Sequence, residues 1–527
     1  MRAVPFHYIL LVFIKDVLPA RILGLFPHIG KSHQMAYDPL LRRLAERGHD
    51  VTAVTFFPLK DPPEHYRAVS LEGLTEIRVE SINMSIYEGH NVFLRLTGLD
   101  RIRSHISEIH PLADFALDTC SKLVSFKPLS ELLRKEYDVI LTENFNSDCM
   151  LGLANVYGQK APIVYLSSCT AMYWALDRFG VTDNPSYVPL VSSIFTTPMT
   201  FLQRLENAVL NVYFKVWFRY AIQLKEQKII EEHFGRKIPD LQEMAKNVSL
   251  MLVNAHHSLN GVRPLIPGIV EVGGMHLDKT RRPISQFFER FLNDSEHGVV
   301  LFSFGSLIKT STLPKYKEDI IMKTLSQLKQ RVIWKYEDSA EEGTLVGNVL
   351  KVKWIPQYDL LQHSKIIAFV GHGGLLGMTE SISAGKPMLV IPFFGDQHLN
   401  GAQAEKIGFG KVVSYADLSE KTFLDGLQSV LSPEMRLSAR RASNIWSDRQ
   451  ADPLDTAVYW TERVIRWGHR APLHSPARDL PLHQYLLLDV AAAILVAILV
   501  LIAILRLIVV LIIRFFSGSV TAKEKLH

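Results

Sequence analysis

The sequence predicts an α/β protein with two Rossmann-like domains, followed by a single C-terminal transmembrane helix. Three observations carry that reading. Short runs of branched apolar residues recur in both halves, at 21–26, 137–142, 299–304, 366–370 and 388–391, and several run straight into a Gly- or Pro-containing turn. Runs of this kind read as parallel strands buried on both faces. Residues 261–297 hold Gly261, Pro264, Pro267, Gly268, Gly273, Gly274 and Pro283, the density of a linker between two domains of ordinary size in a chain of 527 residues. Finally, residues 490–513 are apolar save for Arg506.

Composition narrows the function classes. The formal net charge is +5, with Lys and Arg scattered rather than clustered, so no nucleic-acid surface is indicated. The three cysteines, Cys120, Cys149 and Cys169, are an odd set that indicates no disulfide scaffold. No Cys/His cluster has metal-ligand spacing, and the sequence contains no Asp-x-Asp.

Residues 1–20 carry Arg2, an apolar run over 8–14 and Ala20, the pattern of a secretory signal peptide. The first strand, RILGLF, leads into Pro27-His28-Ile29-Gly30-Lys31-Ser32-His33. Ser32 is placed to cap a helix whose apolar face is Met35, Leu40, Leu41 and Leu44; Gly48 ends it and the next strand follows at 51–57. Asn83, Asn247 and Asn293 begin glycosylation sequons, which permit a lumenal location. The strand at 137–142 runs into Glu143-Asn144-Phe145-Asn146-Ser147-Asp148-Cys149. The aromatic stretch 187–224 reads as core helices, as a lid over an apolar pocket, or as a surface that dips into a bilayer, and it is too interrupted to cross one.

In the second half, the strand at 299–304 meets Gly305-Ser306, and strands follow at 332–336 and 349–352. The stretch WIPQYDLLQHSKIIAFVGHGGLLGMTESISAGKPMLVIPFFGDQ then runs from Trp354 to Gln397. It places His372-Gly373-Gly374 between a buried strand and a helix start. Unpaired backbone N–H groups and the helix dipole make that an anion site. Asp396 and Gln397 follow the next strand, where a carboxylate and an amide suit a hydroxyl-rich ligand.

WIPQ, HGG, Glu380 six residues after Gly374, and the closing GDQ occur in order, and together they resemble the signature of the UDP-glycosyltransferases, the UDP-glucuronosyl- and UDP-glucosyltransferases. The resemblance covers nearly the whole chain. It implies a GT-B arrangement: an acceptor-binding domain over 21–260 and a UDP-sugar-binding domain over 298–470 face each other across a cleft. By resemblance His33, the His of a Ser-His pair, is the general base that takes the acceptor proton. Behind it the family uses an Asp. The pattern of invertebrate members favours Asp148, which precedes Cys149, and ungapped alignment to vertebrate members gives Glu143 as the alternative. His28 is a less favoured choice for the base.

The donor residues carry over one by one. Trp354 would stack on uracil and Gln357 would read the base or ribose. Ser306 and His372 would hold the diphosphate with the backbone of Gly373, Gly374 and Gly377. Glu380 would accept from the ribose hydroxyls, and Asp396 and Gln397 would grip the sugar. The family often has Thr before HGG and Asn or Ser after it; Gly371 and Leu376 stand there, so two side-chain contacts to phosphate are expected to be missing. UDP-sugar enters as a co-substrate, and no cofactor or metal is expected.

The neck, 471–489, is rich in Pro, His and Arg; the membrane helix is expected over 490–513 and a cytosolic tail over 514–527. Lys523 and Lys525 resemble a dilysine retrieval signal. These features imply a single-pass type I protein of the endoplasmic reticulum membrane, with lumenal catalytic domains, lipid as a partner, and room for a homo-oligomer. The expected reaction is inverting transfer of a sugar to small lipophilic hydroxyl compounds, as in detoxification or hormone conjugation. UDP-glucose is favoured over UDP-glucuronate because no Lys or Arg stands in the matched donor loops to meet a C6 carboxylate. The rival readings are glucuronate transfer and an inactive lumenal ligand-binding protein of the same fold. A nicotinamide dehydrogenase is disfavoured because PHIGKSH lacks G-x-G-x-x-G.

Overall fold

The computed structural model describes residues 18–88, 99–181, 183–277 and 282–523. All but the last three residues of the expected signal peptide, and residues 524–527 of the tail, lie outside that set. The chain divides after His474 into two units.

The first unit holds two seven-stranded sheets. The first contains β1 (Arg21–Phe26), β2 (Asp50–Thr55), β3 (Tyr66–Ser70), β5 (Val139–Glu143), β6 (Ile163–Ser167), β7 (Leu250–Val253) and β8 (Ile269–Glu271), in the order β3-β2-β1-β5-β6-β7-β8. Every neighbouring pair is parallel. β4 (Ile82–Asn83) lies outside it. The second sheet contains β9 (Val299–Ser303), β11 (Arg331–Lys335), β12 (Thr344–Val346), β13 (Val349–Val352), β14 (Ile366–Gly371), β15 (Met388–Val390) and β16 (Gly410–Val412), in the order β12-β13-β11-β9-β14-β15-β16. Only the edge strand β12 is antiparallel. Central strands such as β5 and β9 are buried along their whole length, which is why they read as unbroken apolar runs.

Each sheet reverses its winding at its first strand, β1 between β2 and β5, and β9 between β11 and β14. Ligands of open α/β sheets bind at the carboxyl ends of strands on either side of such a switch point. His33 follows β1, Glu143 ends β5, Ser306 follows β9 and His372 follows β14, so the topology alone gathers these residues at two switch points.

The helices that matter for the site are α1 (Lys31–Glu46), α2 (Cys149–Val156), α3 (Phe201–Trp217), α4 (Leu375–Ser383), α5 (Gln397–Lys406) and α6 (Pro453–Trp467). α1 begins two residues earlier than a Ser32 cap predicts, with Gly30 as its N-cap. Glycine is needed there for space, since a Cβ on residue 30 would stand 2.9 Å from the His28 ring.

Two domain boundaries differ from the sequence reading. β8 pairs with β7, so the first sheet continues to Glu271 inside the expected linker. At the other end, α6 returns to pack on α1: Arg47 Nε donates to Glu462 Oε1 at 2.6 Å and Arg43 Nη1 to Asp455 Oδ1 at 3.1 Å. An arm of the first half also lies on the second. Glu80 N donates to Ser306 O at 2.8 Å, Ile82 N to Leu307 O at 3.1 Å, and β4 pairs in parallel with β10 (Ile308–Lys309).

Cys120 and Cys149 form a disulfide, with Cα atoms 5.8 Å apart, and Cys169 is a buried free thiol. The odd cysteine count thus resolves into one bridge and one thiol. Of the apolar residues of α3, Leu210 and Phe214 are buried while Phe201, Leu202, Leu205, Val209, Val212 and Val216 stand exposed, so this helix is only partly core.

The second unit contains α7 (Leu488–Lys523). Its stretch Leu488–Phe516, 29 residues, is long and apolar enough to cross a membrane and outruns the expected 490–513 at both ends.

The Cys120–Cys149 bridge spans a sequence separation of 29 residues. Replacing both cysteines by serine is expected to cost about 3–4 kcal/mol through restored loop entropy of the unfolded chain, read as a lower denaturation midpoint of the detergent-solubilised protein.

Candidate active site

α1 aims its first turn at the end of β5. His33 Nδ1 is hydrogen-bonded to the carboxylate of Glu143, and Ser168 Oγ, just past β6, lies 2.8 Å from the same nitrogen. Tyr37, one turn along α1, donates to Glu143 Oε1 at 3.3 Å. Burial pushes the Glu143 carboxyl up, but His33, His28 and the hydrogen bonds from His33 and Tyr37 outweigh it and hold the group below the usual range. A buried carboxylate that stays ionised beside an imidazole fixes that ring's orientation and stabilises its protonated form. With Nδ1 so engaged, Nε2 is the nitrogen of His33 that can take a proton from a ligand.

Asp148, the favoured partner of His33, does not serve it. Its carboxylate is paired with Arg178, with Nη1 donating to Oδ1 at 2.9 Å and Nη2 to Oδ2 at 2.6 Å, both side chains fully buried. Tyr165 Oη and Gln223 Nε2 donate to it as well, at 3.0 and 2.7 Å. The physical reason is Arg178: a fully buried guanidinium requires a two-pronged anionic partner, and Asp148 is that partner. Glu143, the alternative, is the residue that meets the base.

In the second half, His372 sits where glycines leave room for its ring. A Cβ on Gly305 would come within 2.6 Å of the imidazole, and one on Gly374 would overlap it. Gly305 and Gly373 also adopt positive φ, +80° and +87°, which other residues avoid. Burial lowers the His372 pKa to about 4, so the ring is neutral at pH 7 and one nitrogen can donate to an anion. Gly374 is the N-cap of α4, and Gly377 lies beside Gln357. Gln357 Nε2 donates to Glu380 Oε2 at 2.6 Å, and burial pushes Glu380 up to about 7 against that bond. Trp354 is half-exposed, and Lys31 Nζ from α1 lies 4.9 Å from its ring centroid.

Asp396 is the N-cap of α5, and burial raises its pKa to about 6 against Asn400 and the field of His33. Asp396 of the second half thus lies near enough to His33 of the first to feel its charge. Gln397 Oε1 accepts from Phe393 N at 2.9 Å, which closes the turn and leaves its NH2 as the group it can offer a ligand. Ser306 anchors the 80–88 arm through its carbonyl. At the two departures from the family pattern, Gly371 fits tightly, since a Cβ there would reach Met388 at 2.8 Å, and Leu376 packs on the core of the first sheet.

Three contributors escape the sequence reading, and a fourth, His28, takes a place other than the one it was weighed for. Ser168 could be found only after β6 was placed beside β5. Asn400 donates to Gly373 O and to Asp396 Oδ2, each at 2.9 Å, and so ties the HGG turn to the GDQ turn. Its signal was its position one helical turn after a carboxylate. Glu108 Oε2 accepts from Gly395 N at 3.0 Å, bringing the helix Leu99–Ile109 of the first half onto the donor turn. His28 stacks on His33, as described below.

Next to His28 lies a small cleft, of about 30 Å³, walled by Pro27, Ile29, Phe115, Leu123 and Phe145, with Glu143 and Asn146 as polar groups. Donor atoms of His28, His33 and Glu143 come within 4.8 Å of one another, as do those of His256, His257 and Glu271. The first trio is a poor cation cage. Its two imidazoles are face to face, so their in-plane lone pairs run side by side rather than converging, and His33 Nδ1 is already bonded to Glu143.

A family model described as UDP-glucoronosyl and UDP-glucosyl transferase matches residues 24–523. UDP-glycosyltransferase UGT5 of Dactylopius coccus is 38% identical over 492 residues, covering 92% of this chain and 91% of that protein. UDP-glucuronosyltransferase 2B15 of Rattus norvegicus is 31% identical, with 92% of each chain covered. Among solved structures, LpCGTa in complex with UDP superposes with a TM-score of 0.51 at 15% identity, over 85% of this chain and 99% of that one. The fold is of the GT-B type.

Glu143 and Asp148 are expected to separate cleanly on substitution. Glu143→Gln should leave folding intact and lower turnover on the order of 10²–10⁴-fold, the range for loss of general-base function. Asp148→Asn should instead destabilise the protein by about 3–5 kcal/mol by stranding the buried Arg178. Turnover and denaturation midpoints measured on both variants check this.

Proposed function

The chain belongs to the UDP-glucuronosyl and UDP-glucosyl transferase family, and from that premise we propose that it transfers glucose, in preference to glucuronate, from UDP to a hydroxyl of small lipophilic molecules. That it is a glycosyltransferase using a UDP-sugar follows from the family itself. The observation that carries the mechanism is the bond between His33 and Glu143 at the carboxyl end of β5.

In this reading His33 Nε2 takes the acceptor proton as the acceptor oxygen attacks the anomeric carbon from the face opposite UDP. The bond from that carbon to the diphosphate oxygen breaks, and the electron pair leaves with UDP. Glu143 stabilises the imidazolium that forms. The leaving diphosphate is held by the N-terminus of α4, His372 and Ser306 rather than by a metal. Trp354 and Gln357 take the uracil and Glu380 the ribose, while Asp396 and Gln397 hold the sugar hydroxyls. The apolar walls beside His28, Ile29, Phe115 and Phe145, are of the kind a lipophilic acceptor would meet.

The preference for glucose is supported by where the nearby charges go. Lys309 faces Asp338 at 3.6 Å, and Lys386 Nζ is committed to the carbonyls of His363 and Ile366, at the start of β14 rather than its ligand end. Meanwhile Glu108 brings a carboxyl to the donor turn, which disfavours a second carboxylate there.

We place the enzyme in the endoplasmic reticulum membrane with its large unit lumenal and α7 as the anchor. At about 1.5 Å per residue the apolar part of α7 exceeds the ~30 Å of a bilayer core. The Cys120–Cys149 bridge suits an oxidising compartment. The exposed apolar row of α3 suits contact with lipid. A role in conjugating lipophilic compounds, in detoxification or hormone turnover, fits this siting.

Side-by-side rates with UDP-glucose and UDP-glucuronate and one shared phenol test the donor preference. Glucose is expected to be faster; faster glucuronate transfer overturns the preference and leaves the family standing. Turnover is also expected to survive a strong chelator, and a metal requirement would contradict the role given to the helix terminus.

A further inference from the structure

The ring beside the base is not part of the reaction as written above, yet its placement is specific. His28 lies face to face with His33, with ring centroids 3.7 Å apart and planes 10° from parallel. Phe145 presents its edge to both, at 5.4 Å from His28 and 4.7 Å from His33. His28 Nδ1 accepts the Gly30 N–H at 3.0 Å, which fixes the rotation of the ring and leaves its proton on Nε2 in the neutral form. The absent side chain at Gly30 is what lets the two rings stack.

We infer that His28 is a positioning residue: a neutral imidazole whose face braces the His33 ring and supports its protonated form. This rests on the reading of His33 as the base. Bonds from Glu143 and Ser168 hold His33 along one edge, at Nδ1, and leave a hinge about that edge. A ring stacked on the face removes the hinge and keeps Nε2 aimed at the acceptor. When His33 gains its proton, the π-face of a neutral aromatic ring is attractive to the cation.

The arrangement works only if His28 stays neutral, since two imidazolium rings at this distance repel. Burial, together with the neighbouring His33, lowers its pKa to about 4. The other titratable groups that face the pair are Glu143 at the end of β5, Tyr37 on α1 and Asp396 from the second half. Glu143 already offsets one positive charge, and a second would be uncompensated.

The test compares His28→Ala, His28→Phe and His33→Ala in the full-length enzyme. UDP binding, followed by titration calorimetry, reports that each variant is folded. For His28→Ala, kcat is expected to fall at least 10-fold with the KM for the UDP-sugar unchanged. The acid limb of the kcat/KM profile should move to lower pH, because His33 loses support for its protonated form. His28→Phe, which keeps a stacked ring, should recover most of the rate and return the limb towards its original pH. A ring that only fills space would lower the active fraction and leave the limb in place. An unmoved limb in His28→Ala, or His28→Phe as slow as His28→Ala, overturns the inference. If His33→Ala keeps its turnover, the base assignment fails by itself, whatever the His28 variants do.

Discussion

Burying a carboxylate is expensive unless everything around it is arranged to keep it charged, and Glu143 imposes that requirement on the first half of the molecule. It ends β5, the strand next to β1, with almost no exposure to water. One oxygen, Oε1, is met by both His33 and Tyr37 from α1. Those two contacts, one turn apart on the helix, fix the rotation of α1 about its axis. The rotation in turn decides that Lys31 reaches the Trp354 ring in the second half. The loop that precedes α1 is shaped by the same need, because Gly30 must be small for His28 to lie on His33. One ionised group thus sets the pose of a helix, a loop and a residue that touches the other half.

The second half meets its own constraint differently. Its ligand end is built from groups that shed charge on burial: His372 is neutral, and Glu380 and Asp396 are pushed towards neutrality. A site that pushes its carboxyls towards neutrality and leaves its histidine uncharged can receive a polyanion without a preformed cation, with backbone N–H groups at the start of α4 supplying the positive potential. The two halves are therefore electrically unlike. One keeps an ionised carboxylate beside an imidazole, where a proton gained by the ring is stabilised, and the other pushes its ionisable groups towards neutrality.

Much of this was legible in the sequence, because strand, turn and helix punctuation is local. The central strands β1, β2, β5, β9, β11, β13, β14 and β15, the HGG and GDQ turns and α7 follow from it, whereas β3, β6, β7, β12 and β16 do not. What was not legible depends on partners far away in the chain. β8 is three residues long inside a glycine- and proline-rich stretch, and only pairing with β7 makes it a strand. α6 belongs with α1 through Glu462 and Arg47, more than four hundred positions apart. Asp148 has the local context of a catalytic acid beside a cysteine, and nothing near it announces Arg178 as its claimant. Cys120 and Cys149 looked like members of an odd set until the fold brought them together.

The arm that leaves the first half also touches the base loop. Arg78 N donates to Ile29 O at 2.9 Å, and two residues later Glu80 N donates to Ser306 O at 2.8 Å. Between the two bonds the chain bends, with Glu80 at φ +49°. That short piece of backbone ties the loop that carries His33 to the loop that carries Ser306. Main-chain groups make both bonds, so the tie survives any change of side chain over 78–80 that leaves the backbone where it is.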